Sequence, residues 1–233
     1  MPPTPIVDCK AWPKAGDTVQ LTETLKVSGV FGGGLKRYVG AGALGEDGQI
    51  EDMPALIEVA PGGVVKNVIV GKPASDGIHC KGTCYLQNVW WEDVGEDAAT
   101  LEGSDANQTM TVECAGARHA ADKVFQHNGA GTYLLTNVYA EDFGKLYRSC
   151  GNCLEQHERH VKLSNIHAED GDLLAGINEN YGDTAEFSNI TAASGITICE
   201  RFQANDTGAE PKSIKSGADD QHCLYQSSDI HRP

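Results

Sequence analysis

Basic residues are scarce in this chain of 233 residues. Eighteen Lys and Arg stand against 33 Asp and Glu, which gives a formal net charge of −15 at pH 7. Proteins that bind nucleic acids need a basic surface against the phosphate backbone, so this composition argues against a nucleic-acid partner. An anionic polymer stays possible if the few cations cluster or if a metal ion bridges it.

The chain also lacks any apolar run of transmembrane length, so we expect no membrane partner. No low-complexity linker interrupts it, and residues 1–233 are interpreted as one domain, with an irregular start over about 1–20 and a surface wrap over about 205–233. No signal peptide is visible. Because Met1-Pro2-Pro3 looks like a start codon before a mature chain, we expect a secreted monomer whose signal has been removed.

Eight cysteines, an even number that includes two close pairs, favour the disulfides of a secreted protein. A zinc site built from the two close pairs is the alternative. The expected pairs are Cys80–Cys84, Cys150–Cys153 and Cys199–Cys223, which leaves Cys9–Cys114 by elimination. Glycosylation sequons begin at Asn107, Asn189 and Asn205 and are weak further signs of secretion.

A repeated Asn followed by Val or Ile is the main organising pattern. The asparagines stand at 67, 88, 137, 165 and 189, in steps of 21, 49, 28 and 24 residues, and the step of 49 contains a degenerate coil at 109–116. With strand alternation and 27 glycines, this period predicts an all-β, right-handed parallel β-helix, with the repeated asparagines forming a hydrogen-bonding ladder at its turns. A leucine-rich repeat would need recurring leucines and helical halves, and a β-sandwich would not explain the asparagine register.

Such a fold converts sequence period into columns of neighbouring side chains. Asp76 lies nine residues after the asparagine at 67, and Asp97 lies nine after the asparagine at 88, so the two acids should be neighbours, with Glu96 beside them. Three close carboxylates repel one another unless they are protonated or bridged by a cation, and oxygen ligands suit Ca²⁺. A solvated acidic turn is the alternative interpretation.

The same column continues into cations. The next equivalent positions fall near 121–123 and 145–148, where Lys123, Lys145 and Arg148 occur. Isolated Lys and Arg residues are usually solvated surface. A row of cations beside a calcium site would instead capture an anionic polymer.

Several long motifs resemble the class III pectate lyases (polysaccharide lyase family 3) of fungi, oomycetes and bacteria. The resemblance covers about residues 15 to 230. It is carried by segments 79–84 (HCKGTC), 88–98 (NVWWEDVGEDA), 122–128 (DKVFQHN), 142–153 (DFGKLYRSCGNC) and 176–185 (GINENYGDTA). It implies a compact parallel β-helix and Ca²⁺-dependent β-elimination of α-1,4-polygalacturonate, the pectin of plant cell walls.

The resemblance also implies roles for individual residues. Asp76, Glu96 and Asp97 correspond to the calcium carboxylates, and Lys123, Lys145 and Arg148 to a cationic cleft that binds substrate and performs catalysis. Lys36 and Glu51 correspond to further substrate-binding positions. We predict Lys123 as the general base and Arg148 as its rival.

Two other functions remain open at this point. A β-helix polygalacturonase would use paired carboxylates for hydrolysis, and a Ca²⁺-dependent pectin-binding or elicitor protein would have no turnover. The sequence has no Gly-x-Ser-x-Gly or His-Glu-x-x-His motif, so His79, His127 and His157 are interpreted as packing or turn residues. Of Trp90 and Trp91 one should be core, and we expect packing rather than sugar stacking for the other.

Overall fold

A computed structural model describes residues 9, 11–46 and 53–233. Its strands form a right-handed parallel β-helix of about six turns, which confirms the predicted fold. The strands are β1 Thr18–Leu21, β2 Leu25–Val27, β3 Val30–Gly40, β4 Ile57–Val59, β5 Gly63–Val70, β6 Ile78–Cys80, β7 Cys84–Trp91, β8 Ala99–Leu101, β9 Thr109–His127, β10 Gly131–Ser149, β11 Arg159–Asn178, β12 Thr184–Ala192, β13 Thr197–Gln203, β14 Lys212–Ser216, β15 Cys223–Leu224 and β16 Ile230–His231.

Helical structure is limited to 3-10 turns at Gly42–Leu44, Glu179–Tyr181 and Ser227–Asp229 in the described part of the chain. Within those same residues, no helix is long and apolar enough to cross a membrane. The leucine-rich repeat and β-sandwich alternatives are therefore wrong. The first lacks its helical halves, and the second does not form the parallel ladder that runs from β1 to β12.

Each coil of the solenoid has three faces. The first face is the part of β5, β7 and β9–β12 before the repeated asparagine position, and the second face is the part after it. The third face stacks β2, β4, β6 and β8 on the last residues of β9 to β11 and on β13. The sequence-predicted site residues other than Lys36 and Glu51 lie on this third face or directly before it.

Apolar side chains from neighbouring coils fill the interior as continuous columns, because the strands pair in register. Every residue of these columns is buried, and removing such surface from water is the main favourable term in folding. On the first face the column is Val65, Leu86, Val112, Leu135, Leu163 and Phe187; on the third it is Ile57, Ile78, Ala99, Phe125, Tyr147, Ala175 and Cys199.

The repeated asparagines make the bend between the first two faces. All five have φ between 52° and 56°, a left-handed conformation that asparagine tolerates better than most residues. Their amides also bond along the column, since Asn88 Nδ2 donates to Asn67 Oδ1 at 2.8 Å and Asn189 Nδ2 donates to Asn165 Oδ1 at 2.7 Å. The predicted asparagine ladder is confirmed.

The degenerate coil carries Cys114 in place of the asparagine. It has the same left-handed φ, 57°, and forms a disulfide with Cys9. Two residues on, Gly116 leaves a gap in the outer column, and Trp12 occupies it with its ring 5.0 Å from that of Trp90. The N-terminal segment is thus fastened where the ladder is interrupted.

The four predicted disulfides are all present: Cys9–Cys114, Cys80–Cys84, Cys150–Cys153 and Cys199–Cys223. No cysteine in the described residues is free, so the four-cysteine zinc alternative is wrong. The tail at 205–217, expected to be irregular, contains β14, which pairs antiparallel with β13.

We predict that Asn165→Ala destabilises the protein more than Asn165→Gly. Both changes remove the amide that donates to Asn137 and accepts from Asn189. Alanine also carries a Cβ, which is disfavoured at the left-handed φ of 54°, whereas glycine does not. The two variants should therefore differ by about 1 kcal/mol in the free energy of unfolding. Urea denaturation of both variants measures this, and equal midpoints would contradict it.

Candidate functional site

The predicted carboxylates meet directly before the third face. Ile78 pairs with Ala99, so two residues earlier Asp76 stands beside Asp97. Gly77 makes this turn possible, because its φ is +45° and an added Cβ would lie 2.3 Å from the Ala98 carbonyl oxygen. The neighbouring coils therefore approach each other too closely for any side chain at this position.

Asp76, Glu96 and Asp97 form one cluster whose ligand oxygens all lie within 4.8 Å of one another. Asp76 is 9% exposed and Asp97 is 3% exposed. Burial raises the pKa of the Asp97 carboxyl well above its usual value, and the nearby Glu96 and Asp76 carboxylates raise it further against the opposing effect of Lys123. Burial likewise raises the pKa of Glu96.

The donor set of this cluster fits a hard cation. Asp76 Oδ1 and Asp97 Oδ1 are buried and accept no hydrogen bond from the described residues. Buried polar atoms are normally paired, and carboxylate oxygens are the ligands that Ca²⁺ prefers. The cluster can therefore hold a calcium ion with these two aspartates and Glu96.

Lys123 follows the acids in the same column, because it occupies the position of Asp97 one coil further on. Its Nζ lies 3.3 Å from Glu96 Oε1, 3.5 Å from Asp97 Oδ1 and 2.7 Å from Asp122 Oδ2. Burial alone would lower the pKa of Lys123, but these carboxylates outweigh it and raise that pKa above its usual value. These carboxylates therefore favour the protonated form of Lys123.

Lys145 continues the column and pairs in register with Lys123. Its Nζ lies 2.6 Å from Asp122 Oδ1, so Asp122 bridges the two lysines. Burial would raise the pKa of Asp122, but the two cations outweigh it and lower that pKa. Lys145, with a third of its side chain exposed, is the more accessible of the two lysines.

Arg148 lies three residues further along β10 and is only 6% exposed. Its Nη1 donates to Asn178 Oδ1 at 2.9 Å and to the Gly176 carbonyl oxygen at 3.2 Å, and its guanidinium lies 4.1 Å from the Phe202 ring centroid. Burial lowers the pKa of Arg148 to about 10. The sequence predicted a functional role for Arg148 but gave no sign that Asn178 and Phe202 contact it.

Two glycines make room for this arginine. A Cβ at Gly176 would lie 2.9 Å from Arg148 Cδ, and one at Gly151 would lie 2.5 Å from Arg148 Nη2. That Nη2 atom is buried and donates no hydrogen bond within the part of the chain that the structure describes. Gly176 is the first residue of the motif at 176–185. A glycine at this position was the sequence feature that could have indicated a large side chain packed against the backbone here.

Lys36 and Glu51 are the two remaining residues that were predicted to bind substrate. Lys36 is exposed on β3 beside Val68, in a ladder other than the one that carries β6 and β8. Glu51 lies outside the described residues. Their roles in substrate binding stay predictions.

Trp90 and Trp91 are both buried, at 1% and 0% exposure. Trp91 is part of the core. Trp90 points outward but is covered by Trp12, and its Nε1 donates to Asn88 Oδ1 at 2.7 Å. Covering and hydrogen bonding agree with packing and not with sugar stacking.

The three histidines differ from one another. His127 is fully buried against Tyr147, and burial lowers its pKa to about 3. His157 Nε2 lies 3.8 Å from Glu155. His79 is placed between Asp76 and Glu102, and although burial would lower its pKa, these two carboxylates raise it to about 9.

The chain is a parallel β-helix with a carboxylate cluster and a cation row on one side, and its similarity to known proteins identifies the family. The pectate lyase family model matches residues 9–208. Pectate lyase H of Emericella nidulans is 43% identical over 217 residues, covering 91% of this chain and 82% of that protein. Probable pectate lyase E of Aspergillus clavatus is 44% identical over 208 residues, covering 88% and 80%.

Solved structures agree. Pectate lyase PelI from Erwinia chrysanthemi in complex with tetragalacturonic acid has a TM-score of 0.76 and 29% identity, covering 92% of this chain and 70% of that one. The catalytic domain of the same enzyme has a TM-score of 0.75 and 28% identity, covering 93% and 100%. The chain belongs to the pectate lyase family and is an enzyme of that type.

We predict that Asp97→Asn stabilises the metal-free protein at pH 8.5. Because the pKa of Asp97 is raised on folding, the stability of the wild type in chelator falls as the pH rises from about 4, the unfolded-state pKa, to the raised value. Asparagine does not titrate, so the variant should gain on the order of 1 kcal/mol. Calorimetric melting in chelator measures this gain.

Added Ca²⁺ should raise the melting temperature of the wild type and leave that of Asp97→Asn nearly unchanged. Asp170→Asn is the matched control, because Asp170 is exposed in a bend with φ 49° that asparagine accepts. A loss of stability for Asp97→Asn in chelator would contradict this account of the cluster.

Proposed function

We propose that this protein is a secreted, monomeric pectate lyase that cleaves α-1,4-polygalacturonate by Ca²⁺-dependent β-elimination and releases unsaturated oligogalacturonides. One observation carries the proposal. Two members of the three-carboxylate cluster, Asp76 and Asp97, share one column with the cations Lys123 and Lys145. The complex of PelI with tetragalacturonic acid supports the choice of substrate.

The substrate is a polyanion and the protein has a net charge of −15, so binding needs local cations that outweigh the overall repulsion. Lys145 is the most exposed of the three cations and is suited to contact a uronate carboxylate. Asp76, Glu96 and Asp97 would hold a calcium ion, which would supply a second positive centre and Lewis-acid chemistry for the uronate carboxylate.

In β-elimination, a base removes the proton on C5 of a uronate, a double bond forms between C4 and C5, and the C4–O bond breaks. The sugar attached through that oxygen leaves, and its oxygen takes up a proton from the solvent. The C–H bond is weakly acidic because the developing charge moves onto a uronate carboxylate that is already negative. Lys145 and Arg148 would stabilise this charge, as preorganised cations do for developing anions.

Two observations bear on the base, and they favour different residues. Charge favours Arg148, whose pKa is lowered to about 10, whereas the carboxylates around Lys123 raise the pKa of that lysine. Access favours Lys123, whose Nζ lies at the carboxylate cluster, whereas Nη2 of Arg148 is buried. We propose Lys123 as the base, because a base must reach the proton that it removes.

We predict that polygalacturonate at alkaline pH gains ultraviolet absorbance from unsaturated uronides when the protein and Ca²⁺ are present, and not in excess chelator. Reducing ends without absorbance would show a hydrolase instead. Binding of polygalacturonate in excess Ca²⁺ without either product would show a pectin-binding protein and contradict turnover.

Lys123→Ala should lower kcat about 10²–10⁴-fold, the usual contribution of a general base, at saturating Ca²⁺. Lys162→Ala is the control, because Lys162 is exposed on the first face and pairs there with Glu186. If Lys123→Ala keeps most of its turnover while Arg148→Lys loses nearly all, Arg148 is the base. An activity optimum at acid pH would argue against both residues.

A further inference from the structure

His79 contacts the carboxylate of Asp76, one of the three acids of the cluster. It follows Asp76 by three residues, and the intervening Ile78 points into the core. We propose that His79, backed by Glu102, is a positioning residue that orients Asp76 for cation binding. This inference rests on the proposed calcium site and adds two residues that support it.

Both nitrogens of the His79 ring face carboxylates. Nε2 lies 2.9 Å from Asp76 Oδ2, and Nδ1 lies 3.0 Å from Glu102 Oε1 on the next coil. The ring is therefore held between two carboxylates, one beside each nitrogen. Its side chain is 13% exposed, which leaves little room for another orientation.

Because of this contact, the two carboxylate oxygens of Asp76 have different surroundings. Oδ2 lies 2.9 Å from His79 Nε2 as an ion-pair contact, whereas Oδ1 is buried and accepts no hydrogen bond from the residues that the structure describes. Oδ1 is therefore the oxygen left for a cation. Groups that hold a metal ligand in place commonly change metal affinity 10–100-fold when they are removed.

Glu102 is fixed in turn. Lys81, directly beside Glu102 across the ladder, forms an ion pair with it and lies 3.7 Å from Glu58 on the other side. Glu102 therefore holds the His79 ring from the side opposite Asp76.

Other histidine–carboxylate pairs in the structure differ from this one. His167 Nε2 lies 2.7 Å from Glu169, and both side chains are about half exposed. An exposed pair of this kind constrains little and contributes little to stability. His167 therefore offers a matched control on the same solenoid.

The test is the Ca²⁺ dissociation constant of chelator-stripped protein, measured by isothermal titration calorimetry at pH 7.5. His79→Phe should weaken binding 10–100-fold, while His167→Phe should not change it. Unchanged or tighter binding in His79→Phe would mean that the His79 contact does not hold Asp76 in the orientation that a cation needs.

Glu102→Gln is the second variant, and it keeps the test usable if His79→Phe does not fold. It should also weaken Ca²⁺ binding, and by more than Glu58→Gln, which removes a carboxylate from the other side of Lys81. In a folded double variant of His79 and Glu102 the losses should not add, because both act through one contact. Wild-type affinity in His79→Phe or in Glu102→Gln would overturn the inference and leave the calcium site intact. A wild type that binds no Ca²⁺ would overturn the calcium site and the inference together.

Discussion

Parallel stacking of the coils in register is the constraint on which the rest of this structure depends. It holds because each coil bends at the same place, where a residue with positive φ turns the chain from the first face to the second. Asparagine satisfies this bend and adds an amide bond along the column. Every other position is then aligned as well, which is why apolar residues form continuous interior columns and charged residues form continuous exterior ones.

Charge balance at the site follows from this alignment. Asp76 and Asp97 are neighbours because the coils are in register, and Lys123 is the next member of the same column. In the absence of a cation, Lys123 is the positive group that offsets the cluster, at 3.3 Å from Glu96 and 3.5 Å from Asp97. A cation bound at the cluster would therefore compete with Lys123 for the oxygens of Glu96 and Asp97.

The sequence was sufficient for the fold because its signal was a period. Asparagines spaced by whole coils predicted the ladder, and counting nine residues onward predicted that Asp76 and Asp97 meet. The disulfides followed from even cysteine usage and two close pairs. Periodicity therefore determined both the architecture and the acidic half of the site.

The surroundings of Arg148 could not be predicted in this way. Phe202 and Asn178 reach it from later coils, and the gaps at Gly176 and Gly151 that admit the guanidinium depend on atomic packing rather than on register. The cover of Trp90 by Trp12 is similar, because an irregular N-terminal segment supplies it. Contacts made by segments outside the repeat carry no period from which to infer them.

The column from Asp76 through Asp97 and Lys123 to Lys145 runs along the solenoid axis, across the strands. A linear polymer that touches both the acidic and the cationic end must therefore lie across successive coils, each about 4.8 Å from the next. The spacing of the coils therefore also sets the spacing of the charged side chains along this line, so that the protein presents its charges at regular intervals parallel to its own axis.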